Sequence, residues 1–334
     1  MRLGQIAPPW IPVPPRDYGG TELMVDILVR SLAAKGWQIQ LCCAGDSTNP
    51  SARFCPYPRS FWPPEKFSEN YHLAKSLAYF KAQPPEVIHS HLEGAAGFWE
   101  LAERPAPLVL TLHTPITPAK KDYLFRFPEV HLVAVSDFQR RQLAGHPRLH
   151  LIPHGIELTA YPFCSRKEDY LLFLGRIYPD KGLHTALAVA RRRGRRLLIA
   201  GPVYDPDRPY FIKEIQPHLD GRRVVYLGPA DFNRKVELLG RAQALILPLE
   251  VDEAFGLAMV EALACGTPVL AFRRGAAPEI IDPGVTGFLA KTVADLEQAV
   301  EEVKHLDPQA CRLQVAIRFE AARMAAAYEA LYQQ

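Results

Sequence analysis

Residues 170–201 read YLLFLGRIYPDKGLHTALAVARRRGRRLLIAG, and this stretch indicates the fold. An apolar run ending in glycine occupies each of its ends, at 170–175 and at 196–201. The residues between the two runs have a helical pattern. A strand, a helix and a second strand in this order are typical of parallel β-sheets covered by helices on both faces.

The same alternation runs through the whole chain and forms two series. Apolar runs predict strands at 3–7, 37–44, 86–91, 108–113 and 131–136 in the first half, and at 170–175, 196–201, 223–227, 244–248 and 268–272 in the second. Because one hydrophobic core rarely serves 334 residues, we predict two Rossmann-like, doubly wound α/β domains that face each other across a cleft. The periodic pattern is interrupted near His154-Gly155-Ile156-Glu157, which places the domains at 1–157 and 158–312. A last helix is expected at 311–334. Because no strand follows it, we expect it to pack against one of the two domains.

Composition excludes several classes of protein. The formal net charge of +3 is too small to favour nucleic acid as a partner. No signal peptide, no apolar run approaching 18 residues and no zinc-type cysteine spacing is present. We therefore expect a cytoplasmic protein with reduced, buried cysteines, and peripheral contact with the inner face of the membrane stays open.

Polar residues follow the predicted strands where open α/β sheets bind ligands, beyond the carboxyl ends of the strands. Tyr18-Gly19-Gly20-Thr21-Glu22 opens a helix whose free N–H groups favour an anion. Arg176 and Lys181 follow the strand at 170–175 and could hold a diphosphate without a metal. The alternative is an ordinary turn and a pair of surface charges.

Two carboxylates flank the apolar segment of EVDEAFGLAMVEALACGTPV, residues 250–269. If 254–264 is helical, Glu253 lies at the mouth of the helix and Glu261 lies about 12 Å further along it. That separation is comparable to a diphosphate joining two sugars, and each carboxylate can accept hydrogen bonds from a diol. The backbone N–H groups of Phe255, Gly256 and Leu257 would then face the phosphates. The alternative is a capping acid and a second, solvated acid.

Three further patterns resemble other kinds of site. Asp205-Pro206-Asp207 has the form of a metal-binding motif, but we expect it to lie away from the residues above. His89 and His91 share one strand face without a third ligand nearby, which favours histidines of a core or cleft over a metal site. Ser136 lacks a GxSxG context and an adjacent base, so we expect a turn or acceptor-side residue rather than a nucleophile.

Taken together, these motifs resemble the family 4 retaining glycosyltransferases of the GT-B fold. The matching segments are YGGTE (18–22), LGRIYPDKG (174–182), EAFGLAMVEALACGTPV (253–269), RRGAAPEIIDPGVTGFL (273–289), EVIHSH (86–91), TLHT (111–114), VSDFQR (135–140) and IPHGIE (152–157). They cover nearly the whole chain. Three departures occur, Ala254 where glycine is usual, His154 where asparagine is commoner and Glu157 where aspartate is commoner.

The resemblance implies a role for each matching residue. Arg176 and Lys181 would bind the donor diphosphate, with a backbone N–H of Gly20 from the opposing domain. Glu261 would accept the ribose hydroxyls and Glu253 the hydroxyls of the transferred sugar. His113 would lie beside that sugar, Gly228 and Pro229 would flank the base, and Ser136 and His154 would lie on the acceptor side. The last helix, 313–334, would pack back on the N-terminal domain.

The implied activity is metal-independent transfer of a hexose with retention of configuration, by front-face attack in which the leaving diphosphate takes the acceptor proton. A UDP-sugar is the first expected donor and GDP-mannose the second, with no other cofactor. The acceptor would be a small molecule, a glycan or a lipid-linked sugar. The alternatives are a nucleotide-sugar epimerase of the same fold and a non-catalytic nucleotide-binding protein. Sequence does not specify the oligomeric state.

Overall fold

A computed structural model describes all 334 residues, which form two compact units. The first comprises Met1–Ile156 together with Ala321–Gln334, and the second comprises Glu157–Glu320. The chain therefore enters the first unit again after it has completed the second.

A seven-stranded parallel sheet forms the centre of the first unit, in the order β3-β2-β1-β4-β5-β6-β7. β1 pairs with both β2 and β4, so the strand order reverses between β1 and β4. All side chains of β4 and β5 are buried, as expected for inner strands covered on both faces. The strands are β1 (Arg2–Ile6), β2 (Gln38–Cys42), β3 (Ala52–Phe54), β4 (Val87–Ser90), β5 (Leu108–Leu112), β6 (His131–Ala134) and β7 (Leu149–Leu151).

Five helices follow strands of this sheet: α1 (Gly20–Ala33), α2 (Lys66–Ala82), α3 (Ala95–Leu101), α4 (Pro118–Leu124) and α5 (Asp137–Gln142). α2 packs closely over β1 because Gly4 has no side chain. A Cβ atom there would lie 2.7 Å from the ring of Phe80, which is fully buried. No helix of the chain combines the length and the apolar character needed to cross a bilayer.

The second unit contains a six-stranded parallel sheet in the order β10-β9-β8-β11-β12-β13. Its strand order reverses between β8 and β11. The strands are β8 (Tyr170–Leu174), β9 (Arg196–Ala200), β10 (Val224–Tyr226), β11 (Ala244–Leu247), β12 (Val269–Phe272) and β13 (Gly287–Ala290). Its helices are α6 (Leu183–Arg192), α7 (Arg208–Tyr210), α8 (Phe232–Arg241), α9 (Leu257–Ala264), α10 (Ala277–Ile280), α11 (Val293–Glu302) and α12 (Pro308–Arg318).

The expectation of a single helix at 311–334 is wrong. α12 ends at Arg318, and a separate helix, α13 (Ala321–Tyr332), belongs to the first unit, where it packs against α1. The break occurs because Phe319 leaves helical geometry, with φ −129° and ψ 26°. The N–H of Ala321 then bonds to the carbonyl oxygen of Ile156, which ties the start of α13 to the end of the first unit.

Each predicted strand overlaps an observed one, but β3, β7 and β13 were not predicted. These three strands have only three or four residues, and none of them is fully buried. β3 and β7 lack the apolar run on which the prediction rests, whereas β13 is apolar but only four residues long. The sheets and the two-unit division agree with two doubly wound α/β domains.

Candidate functional site

The loops after β8, β9 and β11 bring charged side chains together in the second unit. Arg176 and Lys181 follow β8, Asp207 follows β9, and Glu253 follows β11. These strands are neighbours at the place where strand order reverses, which is where open α/β sheets commonly bind ligands.

Arg176 is held by Asp207, contrary to the expectation that Asp205-Pro206-Asp207 lies apart from the other motifs. Nε and Nη2 of Arg176 lie 2.8 Å and 2.7 Å from Oδ2 of Asp207. The guanidinium also lies 4.9 Å from the ring centre of Tyr178 and 5.1 Å from that of Tyr204. The expectation failed because β8 and β9 are adjacent, so their loops meet although the residues are distant in sequence. Asp207 and the two rings thus fix the direction of the arginine.

Lys181 and Glu253 form a second ion pair. Nζ of Lys181 lies 2.5 Å from Oε2 of Glu253, and both side chains are largely shielded from solvent. A carboxylate in this pair can still accept hydrogen bonds from hydroxyl groups, because its two oxygens have about four lone-pair sites and only Oε2 is paired. The two groups could therefore contact a diphosphate and a sugar at neighbouring positions.

Glu261 is 5% exposed and does not lie on a solvated face. Its Oε1 accepts hydrogen bonds from Nζ of Lys235 at 2.5 Å and from the hydroxyl of Tyr161 at 2.8 Å. Burial and the negative charge of Glu261 raise the pKa of Tyr161 far above its usual range. Sequence analysis missed Lys235 and Tyr161, since neither is near Glu261 in the chain.

α9 begins later than predicted, so Glu253 does not lie at its mouth. Gly256 has φ 105°, a left-handed conformation that ends any helix continuing from 254, and the first helical residue is Leu257. Glu253 and Phe255 thus belong to a loop. This bend favours glycine because side chains rarely adopt such a positive φ. No side chain caps α9, and among its first N–H groups that of Met259 bonds to the carbonyl oxygen of Gly256.

Gly228 and Pro229 follow β10. Gly228 has φ 77°, its carbonyl oxygen accepts a hydrogen bond from the N–H of Gly201, and a Cβ atom at this position would meet open space. Pro229 is exposed. The loop is therefore accessible to a ligand, as its expected place beside a base requires.

In the first unit, Gly20 is the first residue of α1, and Gly19, with φ 154°, precedes it without a capping side chain. Glu22 is buried in the first turn of the same helix, and burial raises the pKa of its carboxyl to about 7. The helix start thus offers N–H groups and a carboxyl that is partly protonated near neutral pH. Glu22 is a titratable group that the motif YGGTE contains but that sequence analysis did not single out.

His113 and His154, predicted for two different roles, lie together. Their rings stack with centres 5.1 Å apart and planes inclined by 17°. Nε2 of His113 also lies 2.8 Å from Nδ1 of His91, and His91 lies over His89 with ring centres 4.2 Å apart. Burial lowers the pKa of His113 to about 3 and holds the pKa values of His91 and His154 well below their usual range. These imidazoles are therefore neutral at physiological pH.

Ser136 is buried and caps α5, where its hydroxyl oxygen accepts a hydrogen bond from the N–H of Gln139. Gln139 in turn donates to the carbonyl oxygens of Leu112 and Thr114, on either side of His113. The placement of Ser136 favours the turn interpretation, and Gln139 is the residue that holds the backbone around His113.

No group of three or more His, Cys, Asp or Glu side chains is arranged to hold a metal ion. His89 and His91 do share a face, as predicted, but all their ring nitrogens take part in hydrogen bonds. The partners of His89 are Gln5, Thr111 and Tyr332, and those of His91 are Gln5 and His113. The six cysteines form no disulfide, and all but Cys55 and Cys164 are buried.

Comparison with known proteins defines the class to which this fold and site belong. The family described as "Glycosyltransferase Family 4" matches residues 18–160, and "Glycosyl transferases group 1" matches residues 163–317. The two matches follow one another along most of the chain. The chain belongs to the family 4 glycosyltransferases.

Individual relatives match it less completely. A glycogen synthase of Mycobacterium tuberculosis is 33% identical over 50% of this chain and 42% of its own length. A D-inositol 3-phosphate glycosyltransferase of Mycolicibacterium smegmatis is 30% identical over 67% of this chain and 61% of its own length. The match thus spans about half of these relatives.

Solved structures match over nearly the full length and show the GT-B fold. Sucrose-phosphate synthase of Thermosynechococcus elongatus superposes with a TM-score of 0.84 at 22% identity, covering 100% of this chain and 98% of that one. AviGT4, a glycosyltransferase involved in avilamycin A biosynthesis, has a TM-score of 0.76 at 24% identity, with coverage of 99% and 97%. Anabaena HepE, solved in complex with UDP-glucose, has a TM-score of 0.79 at 16% identity and covers both chains completely.

Proposed function

We propose that this chain is a retaining hexosyltransferase that uses a nucleoside diphosphate sugar and a hydroxyl acceptor. The observation that carries the proposal is the pairing of Lys181 with Glu253, which joins the loops after the neighbouring strands β8 and β11. A cation for phosphate and a carboxylate for sugar hydroxyls thereby occupy the ligand position of an α/β sheet.

A UDP-sugar is the proposed donor, with GDP-mannose second. The structural neighbour Anabaena HepE, which was solved with UDP-glucose, supports the first choice. Glu261 would receive the ribose hydroxyls, with Lys235 and Tyr161 holding its carboxylate in place, and the accessible loop of Gly228 and Pro229 would flank the base. The acceptor is proposed to be a small molecule, a glycan or a lipid-linked sugar.

In the proposed reaction, the bond between sugar C1 and the leaving diphosphate oxygen breaks while the acceptor oxygen bonds to C1 from the same face. The acceptor proton passes to the leaving diphosphate. Arg176, Lys181 and the N–H groups at the start of α9 would stabilise the developing negative charge. His113 is neutral and would position the sugar rather than act as a base.

Fixed cations would replace a metal ion in this mechanism. Arg176 is directed by Asp207 and two aromatic rings, so its charge needs no reorganisation when the diphosphate becomes more negative. We therefore expect neither binding nor turnover to require a divalent cation.

The first test is thermal unfolding with UDP, GDP, ADP, NAD and the matching nucleotide sugars, with EDTA present throughout. A ligand at a hundred times its dissociation constant adds about 2.7 kcal/mol, a readily measured shift. Stabilisation by UDP or GDP supports the donor site. If no nucleotide changes the melting temperature, or if stabilisation requires a divalent cation, the corresponding part of the proposal is wrong.

The second test is the stereochemistry of the product. NMR of the product from an α-linked donor and a hydroxyl acceptor should show an α-linkage. A β-linkage contradicts retention. Conversion of the donor to a second nucleotide sugar without any acceptor would instead identify an epimerase.

A further inference from the structure

The side-chain amide of Gln5 lies at the centre of a buried chain of hydrogen bonds in the first unit. Gln5 is on β1, His89 is on the neighbouring strand β4, and His91 follows β4 directly. His113 follows β5, the next strand, while Tyr328 and Tyr332 come from α13. Gln5 and both tyrosines are buried.

One end of this amide determines the proton positions of two histidines. Oε1 of Gln5 lies 2.9 Å from Nε2 of His91, and an amide oxygen can only accept, so His91 carries its proton on Nε2. A neutral ring with that proton has a bare Nδ1. This Nδ1 lies 2.8 Å from Nε2 of His113, which must therefore donate and carry the proton.

The nitrogen end of the Gln5 amide fits this arrangement, in which His113 donates to His91 and His91 donates to the amide oxygen. The Gln5 amide nitrogen lies 3.3 Å from Nδ1 of His89 and can donate to it, and the Tyr332 hydroxyl lies 2.6 Å from the same Nδ1. His89 then donates from Nε2 to Thr111 Oγ1 at 2.7 Å. Reversing the amide would make its nitrogen the donor to Nε2 of His91, which would move the protons of His91 and His113 to Nδ1. The observed orientation leaves every member satisfied.

The remaining nitrogen of His113 is available to a ligand. Nδ1 of His113 makes no hydrogen bond within the protein, and it is not among the buried polar atoms that lack a partner, so solvent reaches it. Burial lowers the pKa of His113 to about 3, and no carboxylate contacts the ring. Nδ1 thus presents a lone pair, which accepts a hydrogen bond from a hydroxyl and repels phosphate or carboxylate oxygens.

We infer that Gln5 is a positioning residue which, through His91, holds His113 in the tautomer that offers Nδ1 as an acceptor to a hydroxyl of the transferred sugar. The tautomer follows from the orientation of the Gln5 amide, whereas its use on a sugar rests on the proposed function. A residue of β1 that touches no ligand would thus help to select a hydroxylated sugar.

NMR of protein labelled with ¹⁵N in its histidines tests the tautomer directly, since protonated and bare ring nitrogens resonate far apart. The signals of His113 are identified by their loss in His113→Gln. At pH 7 we expect His91 and His113 to be neutral, each with a proton on Nε2. A proton on Nδ1 of His113, a charged ring or a mixture of tautomers in the wild-type protein overturns the inference.

Gln5→Met removes the acceptor of His91, and Gln5→Glu retains it. We expect mixed tautomers at His91 and His113 in Gln5→Met, with affinity for the UDP-sugar about fivefold weaker and affinity for UDP unchanged, because UDP lacks the sugar. Gln5→Glu should restore the His113 signals and the sugar-dependent affinity. Gln40→Met, the same substitution on β2, is the matched control and should alter neither.

The outcomes separate the inference from the proposed function. If no nucleotide binds while the wild-type tautomers are as expected, the proposed function fails and the tautomer assignment stands. If UDP-sugar binds but Gln5→Met and Gln5→Glu weaken UDP and UDP-sugar equally, Gln5 has only a structural role and the inference is wrong.

Discussion

Glu261 lies in a nearly closed environment, where Lys235 and Tyr161 both contact its Oε1. Glu253 is more accessible and is paired with Lys181 instead. Removing one partner of a buried pair leaves the other charge uncompensated, so substitutions here are expected to lower stability as well as the proposed binding. The two carboxylates differ in surroundings, and substitutions should separate their roles.

Glu261→Gln is expected to weaken UDP binding about tenfold, because hydrogen bonds to a charged group contribute more than neutral ones. Glu253→Gln should leave UDP affinity within about twofold and reduce turnover instead. Calorimetry with UDP and initial rates with UDP-sugar measure the two effects. Glu237→Gln, at an exposed position of α8, is the control for Glu261. Equal changes in both variants would contradict the separate assignments.

Glu22 should make stability fall as pH rises. Its carboxyl pKa is about 7 in the folded chain against 4.5 as the ordinary value, so between these values the folded state binds more protons than the unfolded state. The free energy of unfolding therefore decreases from pH 4.5 to 7, by as much as about 3 kcal/mol. Glu22→Gln should remove this loss and stabilise the protein at pH 8 more than at pH 5. Denaturant unfolding at both pH values measures it, with exposed Glu100→Gln as control. A gain of equal size at both pH values would contradict the raised pKa.

At the scale of elements, the start of α6 positions Lys181 beside Glu253. Gly182, with φ 71°, ends the turn after β8 and begins α6. A Cβ atom there would lie 1.9 Å from the carbonyl oxygen of Pro248, which follows β11. The close approach of this turn to the β11 loop is what brings Lys181 and Glu253 within contact, and it requires glycine.

Gly182→Ala should therefore destabilise the protein by more than about 2 kcal/mol and weaken UDP binding, since a backbone atom must move. Gly194 has a similar φ of 62°, but a Cβ atom there meets nothing within 4 Å. Gly194→Ala should cost only about 1 kcal/mol, from backbone conformation alone. Chemical denaturation and UDP titration of both variants measure the difference. Similar losses in both would show that the contact with Pro248 is unimportant.

At the scale of the whole molecule, the histidines are unequally distributed between the two units. Eight of the eleven lie in the first unit, and the three in the second, His184, His218 and His305, are not buried. His72 is fully buried, which lowers its pKa to about 4, and burial lowers the pKa values of His89, His91, His113 and His154 as well. Below pH 6.5 the unfolded chain therefore binds protons that the folded first unit does not.

Acid should consequently unfold the first unit before the second. Stability is fully present above about pH 6.5 and is lost as pH falls toward 4, where the buried rings resist protonation. The carboxyl of Glu22 stabilises the first unit as pH falls, but it is a single group, whereas the five buried histidines all destabilise that unit in acid. Hydrogen exchange of peptides at pH 7 and pH 4.5 should show protection lost first in 1–156 and 321–334. Loss of protection in both units at the same pH would contradict this order.

The sequence by itself determined the fold class and the residue types of the candidate site. Strand and helix periodicity are local properties, so apolar runs such as 170–175 and 196–201 are visible without any tertiary contact. Motifs that follow strands are also contiguous, which is why Arg176, Lys181, Glu253 and Glu261 could be named in advance.

Only the tertiary structure decided which of these residues meet. Lys181 and Glu253 are 72 positions apart, Arg176 and Asp207 are 31 apart, and Lys235 and Glu261 are 26 apart. Strand order in the sheet creates these pairs, and sequence patterns do not report strand order. The late start of α9 and the break between α12 and α13 depend on φ and ψ at Gly256 and Phe319. The direction of donation from His113 through His91 to Gln5 depends on four elements packed around one amide, a property of the assembled unit that no local segment contains.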